Sequence, residues 1–379
     1  MSFGARTRGL AATMGFAATV ASAAGAIEPA APHSPRAREA PLSETVLGNT
    51  LHRIDVGEVH LRVAERGEGP LVVLLHGWPE SWYSWRHQLP ALAAAGYRAV
   101  APDLRGYGGS DAPASVEAYD VHHICRDVTG LVDHYGAATA VVVGHDWGAI
   151  LAWQCALLVP DRISAIAPMS VPYAGRGDAS LIDRLRQGYG DNFFYILYFQ
   201  EPAAAEAEFD ADPRGILSRL YTSPTTPREE PRVTDPKRSA GGWIDRLGKP
   251  TEPPPWLSPE DLDYYVAEFT RAGFRGGINY YRNFHRNWEL TPELADAKVA
   301  QPVLFVAGEK DGVIRGADAA RLDALMRPWA PHLREVVVVP EVGHWVQQEA
   351  VEATNAALLR FLSSLRSDRD PAIAISRDP

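Results

Sequence analysis

The chain has 379 residues, 46% hydrophobic and 22% charged, enough for one large soluble α/β domain carrying an insertion or for two ordinary domains. A net charge of -10 without a long basic run argues against a nucleic-acid partner, whose phosphates require basic patches. The four lysines (Lys237, Lys249, Lys298, Lys310) lie in no run suited to phosphate or Schiff-base work, and two cysteines, Cys125 and Cys155, are too few for a disulfide framework and read as buried packing residues.

The amino terminus carries the order of an export signal. Arg6 and Arg8 precede an uncharged apolar and small-residue run from Leu10 to Ala23, with small-residue cleavage sites at Ala21-Ser22-Ala23 and Ala24-Gly25-Ala26. That run is too short and too alanine-rich for a good membrane-spanning helix. Residues 1–26 are thus expected to be a signal peptide for a secreted or periplasmic protein; without a working signal the chain stays cytoplasmic. Residues 27–48, with Pro29, Pro32, Pro35 and Pro41, read as a flexible linker.

From about Leu51 the pattern changes. Val59, Leu61 and Val63 alternate with polar residues as in a half-buried strand, and Leu71-Val72-Val73-Leu74-Leu75 is a short apolar strand ending at His76-Gly77. A helical stretch from Trp85 to Ala95 leads to a strand ending at Ala101-Pro102-Asp103. A helix over about 117–135 leads to the strand Ala140-Val141-Val142-Val143, and a helix over 147–158 to a strand near Ile163–Ala167. Such alternation predicts an α/β, mostly parallel doubly wound sheet.

After Val171 the rhythm breaks. Residues 175–296 carry aromatics and prolines but no valine-rich strand, which predicts a helical insertion with a Pro-rich excursion over about 222–257. Within it Ser258-Pro259-Glu260-Asp261 opens a helix, with an N-cap serine, a first-turn proline and acids that suit the macrodipole; Gly273 ends it. Strands resume at Pro302–Val306 and Val336–Val339, and a helix over about 349–365 closes the domain. The expected organisation is a core of 49–174 plus 297–366, a helical cap of 175–296 and a disordered tail of 367–379. No internal repeat is visible.

The segment Val141-Val142-Val143-Gly144-His145-Asp146-Trp147-Gly148-Ala149 is the most informative. A buried strand runs into a helix with glycine two before and two after the central residue. That spacing exposes a nucleophile on a sharp turn, because other side chains would clash. Serine usually stands at the centre; here it is Asp146. A carboxylate can attack carbon directly and form an ester, it ionises near pH 3.9, and a helix N-terminus favours the anion. A plain N-cap aspartate would not explain the flanking glycines.

Taken with five further motifs, this segment resembles the epoxide hydrolases of the α/β-hydrolase fold, of the soluble type. The motifs are His76-Gly77-Trp78-Pro79-Glu80-Ser81, Asp103-Leu104-Arg105-Gly106-Tyr107-Gly108, Tyr198-Phe199-Gln200-Glu201-Pro202, Asn279-Tyr280-Tyr281-Arg282-Asn283 and Gly343-His344-Trp345. The resemblance spans about Leu51 to Leu365. It implies hydrolysis of epoxides to vicinal diols through an ester on Asp146, without a cofactor or a metal.

Hydrolysis of that ester needs an activated water, and histidine is the usual base. Of 12 histidines, His344 follows the strand Val336–Val339 at the carboxyl edge, where open α/β sheets build sites. Asp311, after the strand Val303–Val306, is the orienting acid by resemblance, with Glu309 its competitor; the order nucleophile, acid, histidine is that of the α/β-hydrolases. His76 and His145 read as structural hydrogen-bonding residues. The backbone N–H groups of Trp147 and Trp78 are the oxyanion-hole candidates, and by resemblance the Trp78-Pro79 bond is cis. Both indoles, with Phe199, are expected to line the substrate pocket. Ring opening needs a proton donor opposite Asp146, and tyrosine, protonated up to about pH 10, suits it. The resemblance assigns Tyr195 and Tyr281; the residues alone leave Tyr198 and Tyr280 as alternatives among 14 tyrosines.

Two other readings remain at this stage. A haloalkane dehalogenase would share the fold and the nucleophile, but Trp78 stands where that chemistry wants an amide side chain, and halide release needs no proton donor. A non-catalytic binding protein would have lost reacting groups, whereas every position here is filled. The aromatic insertion implies a small lipophilic epoxide as partner, besides water, and the sequence leaves homo-oligomerisation open.

Overall fold

The computed structural model describes residues 44–369; the expected signal peptide, nearly all of the linker and the end of the tail lie outside them. Nine strands form one sheet in the order β1-β2-β3-β5-β4-β6-β7-β8-β9. They are β1 (Glu44–Val46), β2 (Asn49–Asp55), β3 (His60–Arg66), β4 (Leu71–Leu75), β5 (Arg98–Pro102), β6 (Ala140–His145), β7 (Ile163–Met169), β8 (Val303–Gly308) and β9 (Leu333–Val339). The first three strands are antiparallel to their neighbours and the other six run parallel. Every residue of β4, β6 and β8 is buried, as befits strands covered on both faces.

The covering helices in the first half are α1 (Gln88–Ala94), α2 (Val121–His134) and α3 (Trp147–Leu158). Between β7 and β8 the chain inserts α4 (Leu181–Tyr189), α5 (Tyr195–Tyr198), α6 (Ala204–Ala211), α7 (Pro213–Leu220), α8 (Pro259–Ala272), α9 (Arg275–Arg282) and α10 (Phe284–Leu290). The sheet side is completed by α11 (Ala319–Met326), α12 (Val346–Glu349) and α13 (Val351–Arg369). Ser258 caps α8 in a reciprocal box with Asp261, and Gly273 ends that helix at φ 71°. The Pro-rich excursion holds only two short 3₁₀ turns, Arg238–Ala240 and Ile244–Arg246.

Three boundaries differ from the sequence reading. Residues 44–48, expected as linker, start the sheet instead: Glu44–Val46 pairs with Asn49–Leu51 across a two-residue turn. Leu47 and Gly48 both have positive φ, 50° and 73°, as the tightest antiparallel hairpins demand. The helix expected over 117–135 begins at Val121, because the Asp120 side chain accepts the His122 and His123 N–H groups as N-cap. At the other end α13 runs to Arg369, into the stretch expected as a tail.

Candidate active site

The site is assembled at the carboxyl ends of β6, β8 and β9. At the end of β6 the chain turns sharply into α3, with Asp146 at φ 52° and ψ -113°. The two flanking glycines make that turn feasible. A Cβ on Gly144 would overlap the Gly148 carbonyl, and one on Gly148 would overlap the Leu75 carbonyl of β4. Gly77 serves the same end across the site, since a side chain there would collide with the Asp146 Cβ.

The Trp78 N–H donates to Asp146 Oδ1 at 2.9 Å, and the Trp147 N–H, next in the chain, also favours the carboxylate anion. The Trp78-Pro79 bond is cis. Burial pushes the Asp146 carboxyl above its ordinary value, while His344, His145 and the two N–H groups pull against it. The residue type alone suggests an ordinary carboxylate; its position makes it a desolvated one.

His344 arrives on the loop after β9. Its Nδ1 hydrogen-bonds Asp311 Oδ2 at 3.0 Å and its Nε2 lies 3.8 Å from Asp146 Oδ2. Burial disfavours the imidazolium, but Asp311, through its charge and hydrogen bond, then Asp146 and Glu80, outweigh it and raise His344 to about 9. Asp311 is 2% exposed and also accepts the Val313 N–H. Glu309 instead pairs with Lys310 and accepts the Glu341 N–H at the surface, so the geometry separates the two acids.

Above Asp146 stands an aromatic group from the insertion. Tyr195 opens α5 and Tyr281 lies in α9, with ring centroids 5.8 Å apart in an edge-to-face arrangement. The Trp147 indole packs edge-to-face on Tyr281, at 5.0 Å between rings. Burial, reinforced by the Asp146 charge, raises both phenols above their ordinary value and keeps them protonated. The neighbours left open by the sequence are committed elsewhere: Tyr198 donates to Glu208, and Tyr280 to the Arg105 carbonyl. Phe199 is fully buried and packs on Trp78 at 5.0 Å and Tyr281 at 4.9 Å, behind the tyrosine pair.

Two features of the site escaped the sequence reading. Trp243, in the Pro-rich excursion, stacks on both Trp78 (5.7 Å, 11°) and Tyr195 (4.7 Å, 14°). Nothing in its local sequence sets it apart from Ile244 and Trp256 in the same stretch. The second is a fully buried relay beneath the site. His145 Nδ1 bonds Glu80 Oε2 at 2.8 Å and its Nε2 meets the His344 carbonyl at 2.8 Å. Glu80 also accepts the Gly77 N–H and the Gln347 amide, so it ties the Gly77–Trp78 loop to the segment after His344. Burial alone would raise Glu80, but His145, Ser84 and His76 hold it down at about 2. Among the described residues no group of three or more His, Cys, Asp or Glu could hold a metal ion.

Comparison with known proteins identifies the family. The α/β-hydrolase-fold family model matches residues 70–351. Epoxide hydrolase A of Mycobacterium tuberculosis is 47% identical over 317 residues, covering 82% of this chain and 97% of that protein. Epoxide hydrolase 1 of Siraitia grosvenorii is 39% identical over 307 residues, covering 80% and 95%. The crystal structure of epoxide hydrolase A from Mycobacterium thermoresistibile superposes with a TM-score of 0.76 at 46% identity, over 83% of this chain and 98% of that one. On this family model and these relatives, the chain belongs to the epoxide hydrolases of the α/β-hydrolase fold.

Proposed function

We propose that this enzyme hydrolyses small lipophilic epoxides to vicinal diols in two half-reactions centred on Asp146. The observation that carries this reading is the enclosure of one carboxylate between a histidine–aspartate pair and a pair of tyrosines. In the first half-reaction an Asp146 oxygen attacks a ring carbon while Tyr195 and Tyr281 protonate the departing oxygen. The product is an alkyl ester on Asp146. Its formation removes the carboxylate charge that helps hold His344 as imidazolium, so the histidine becomes a better base when one is needed. In the second half-reaction His344, oriented by Asp311, takes a proton from water that attacks the ester carbonyl. The N–H groups of Trp78 and Trp147 receive the oxyanion charge. The insertion acts as a cap that supplies the acid and brings Trp243 onto Trp78, which with Trp147 forms an apolar wall.

Replacing the base tests the sequence of events. With His344→Gln, incubation with styrene oxide is expected to leave the peptide containing Asp146 heavier by one epoxide. A variant that turns over normally, or that carries the adduct elsewhere, contradicts the assignment. We further propose that residues 1–26, outside the described residues, direct export. Protein from its native host should then have an intact mass lacking them; a full-length cytosolic product argues the reverse.

A further inference from the structure

Cys125 and Cys155 are both buried, 2% and 0% exposed, as packing residues should be. They are also neighbours. Cys125 on α2 and Cys155 on α3 place their Sγ atoms 3.1 Å apart across the seam between the helices. Nothing in the proposed reaction uses them, and they are the only cysteines in the chain. From 3.1 Å, a disulfide at about 2.05 Å requires only a small approach of the two sulfurs.

We propose that Cys125 and Cys155 are a disulfide site, which locks α2 to α3 when the chain folds under oxidising conditions. The bond would span 30 residues of sequence, including β6 and the turn that carries Asp146. It would therefore brace the helix whose first residue, Trp147, supplies a main-chain N–H to the site. Each free thiol sits between packed helices, and the neighbouring Cys155 thiol together with burial raises Cys125 well above the usual thiol range, so the folded pair is slow to react. Oxidation thus belongs to the stage before α2 docks on α3. A disulfide oxidant, such as a dithiol–disulfide oxidoreductase or oxidised glutathione, first forms a mixed disulfide with one cysteine and releases a thiol. The second thiolate then attacks the protein sulfur, the Cys125–Cys155 bond forms, and a second thiol leaves. The two cysteines lose two protons and two electrons, and the oxidant is reduced to two thiols.

Refolding the full chain with and without oxidised glutathione tests this directly. The oxidised product should be about 2 Da lighter, resist alkylation in denaturant, and yield a linked peptide pair containing Cys125 and Cys155. Its melting temperature should fall by roughly 5 °C on reduction, the loss expected when a loop of this length is released. The Cys155→Ala variant should melt at the same temperature with and without reductant, which shows that the shift belongs to this bond. Two alkylatable thiols after oxidative refolding, glutathione adducts in place of a link, or a parental melting temperature indifferent to reductant would each overturn the proposal.

Discussion

At the scale of single residues, the chemistry depends on which side chains are left without another task. Tyr198 and Tyr280 were equal candidates by residue type, and their hydroxyls are bound to Glu208 and to the Arg105 carbonyl. Tyr195 and Tyr281, in α5 and α9 of the insertion, instead face each other with ring centroids 5.8 Å apart. Tyr281→Phe and Tyr195→Phe should each slow ring opening, and the double variant should lose about 10²–10⁴-fold in single-turnover alkylation. An unchanged alkylation rate in Tyr281→Phe would remove it from the acid role. Trp243 is a different case, because no motif marks it and its partners, Trp78 and Tyr195, are distant in sequence. Trp243→Ala should cost about 1 kcal/mol in transition-state binding, roughly fivefold in kcat/KM, from lost stacking. Equal kcat/KM for the variant and the parent would show the stack to be inert.

At the scale of elements, legibility followed how local the governing interaction is. The buried strands β4, β6 and β8 are runs of apolar residues whose signal is self-contained, and the α8 start is written in four consecutive residues. By contrast β2 buries Leu51 and Ile54, three apart, so its alternation is broken and only pairing with β3 reveals it. The turn at Asp146 was readable because its glycines answer to close backbone contacts. It can be tested with an internal control. Gly148→Ala sets a methyl group against the Leu75 carbonyl and should destabilise the fold by about 4 kcal/mol or more. Gly188→Ala, in α4 with open space around it, should be neutral or slightly stabilising. Denaturant midpoints report both; similar midpoints for the two variants would mean that the elbow tolerates a side chain.

At the scale of the whole molecule, residues distant in sequence and read separately, among them Asp146, Asp311, His344 and Tyr281, meet because the parallel strands end on one edge and the insertion folds over it. The chain order was visible in the sequence; the Glu80–His145 relay was not, because two buried polar groups give no periodic signal. The meeting carries a stability signature. The folded value of His344, about 9, lies above the ordinary 6.5. Its contribution, on the order of 3 kcal/mol, is therefore whole below about pH 6.5 and is lost as pH rises through about 9. The parental melting temperature should fall over that interval more than that of His344→Gln, and parallel curves would contradict the coupling. The central claim, a covalent ester on Asp146, is tested most directly by one turnover in ¹⁸O-water with enzyme in excess over epoxide. Because the first oxygen delivered comes from the carboxylate, the account predicts unlabelled diol and ¹⁸O in the peptide containing Asp146; labelled diol with unlabelled enzyme would mean that water attacks the epoxide directly.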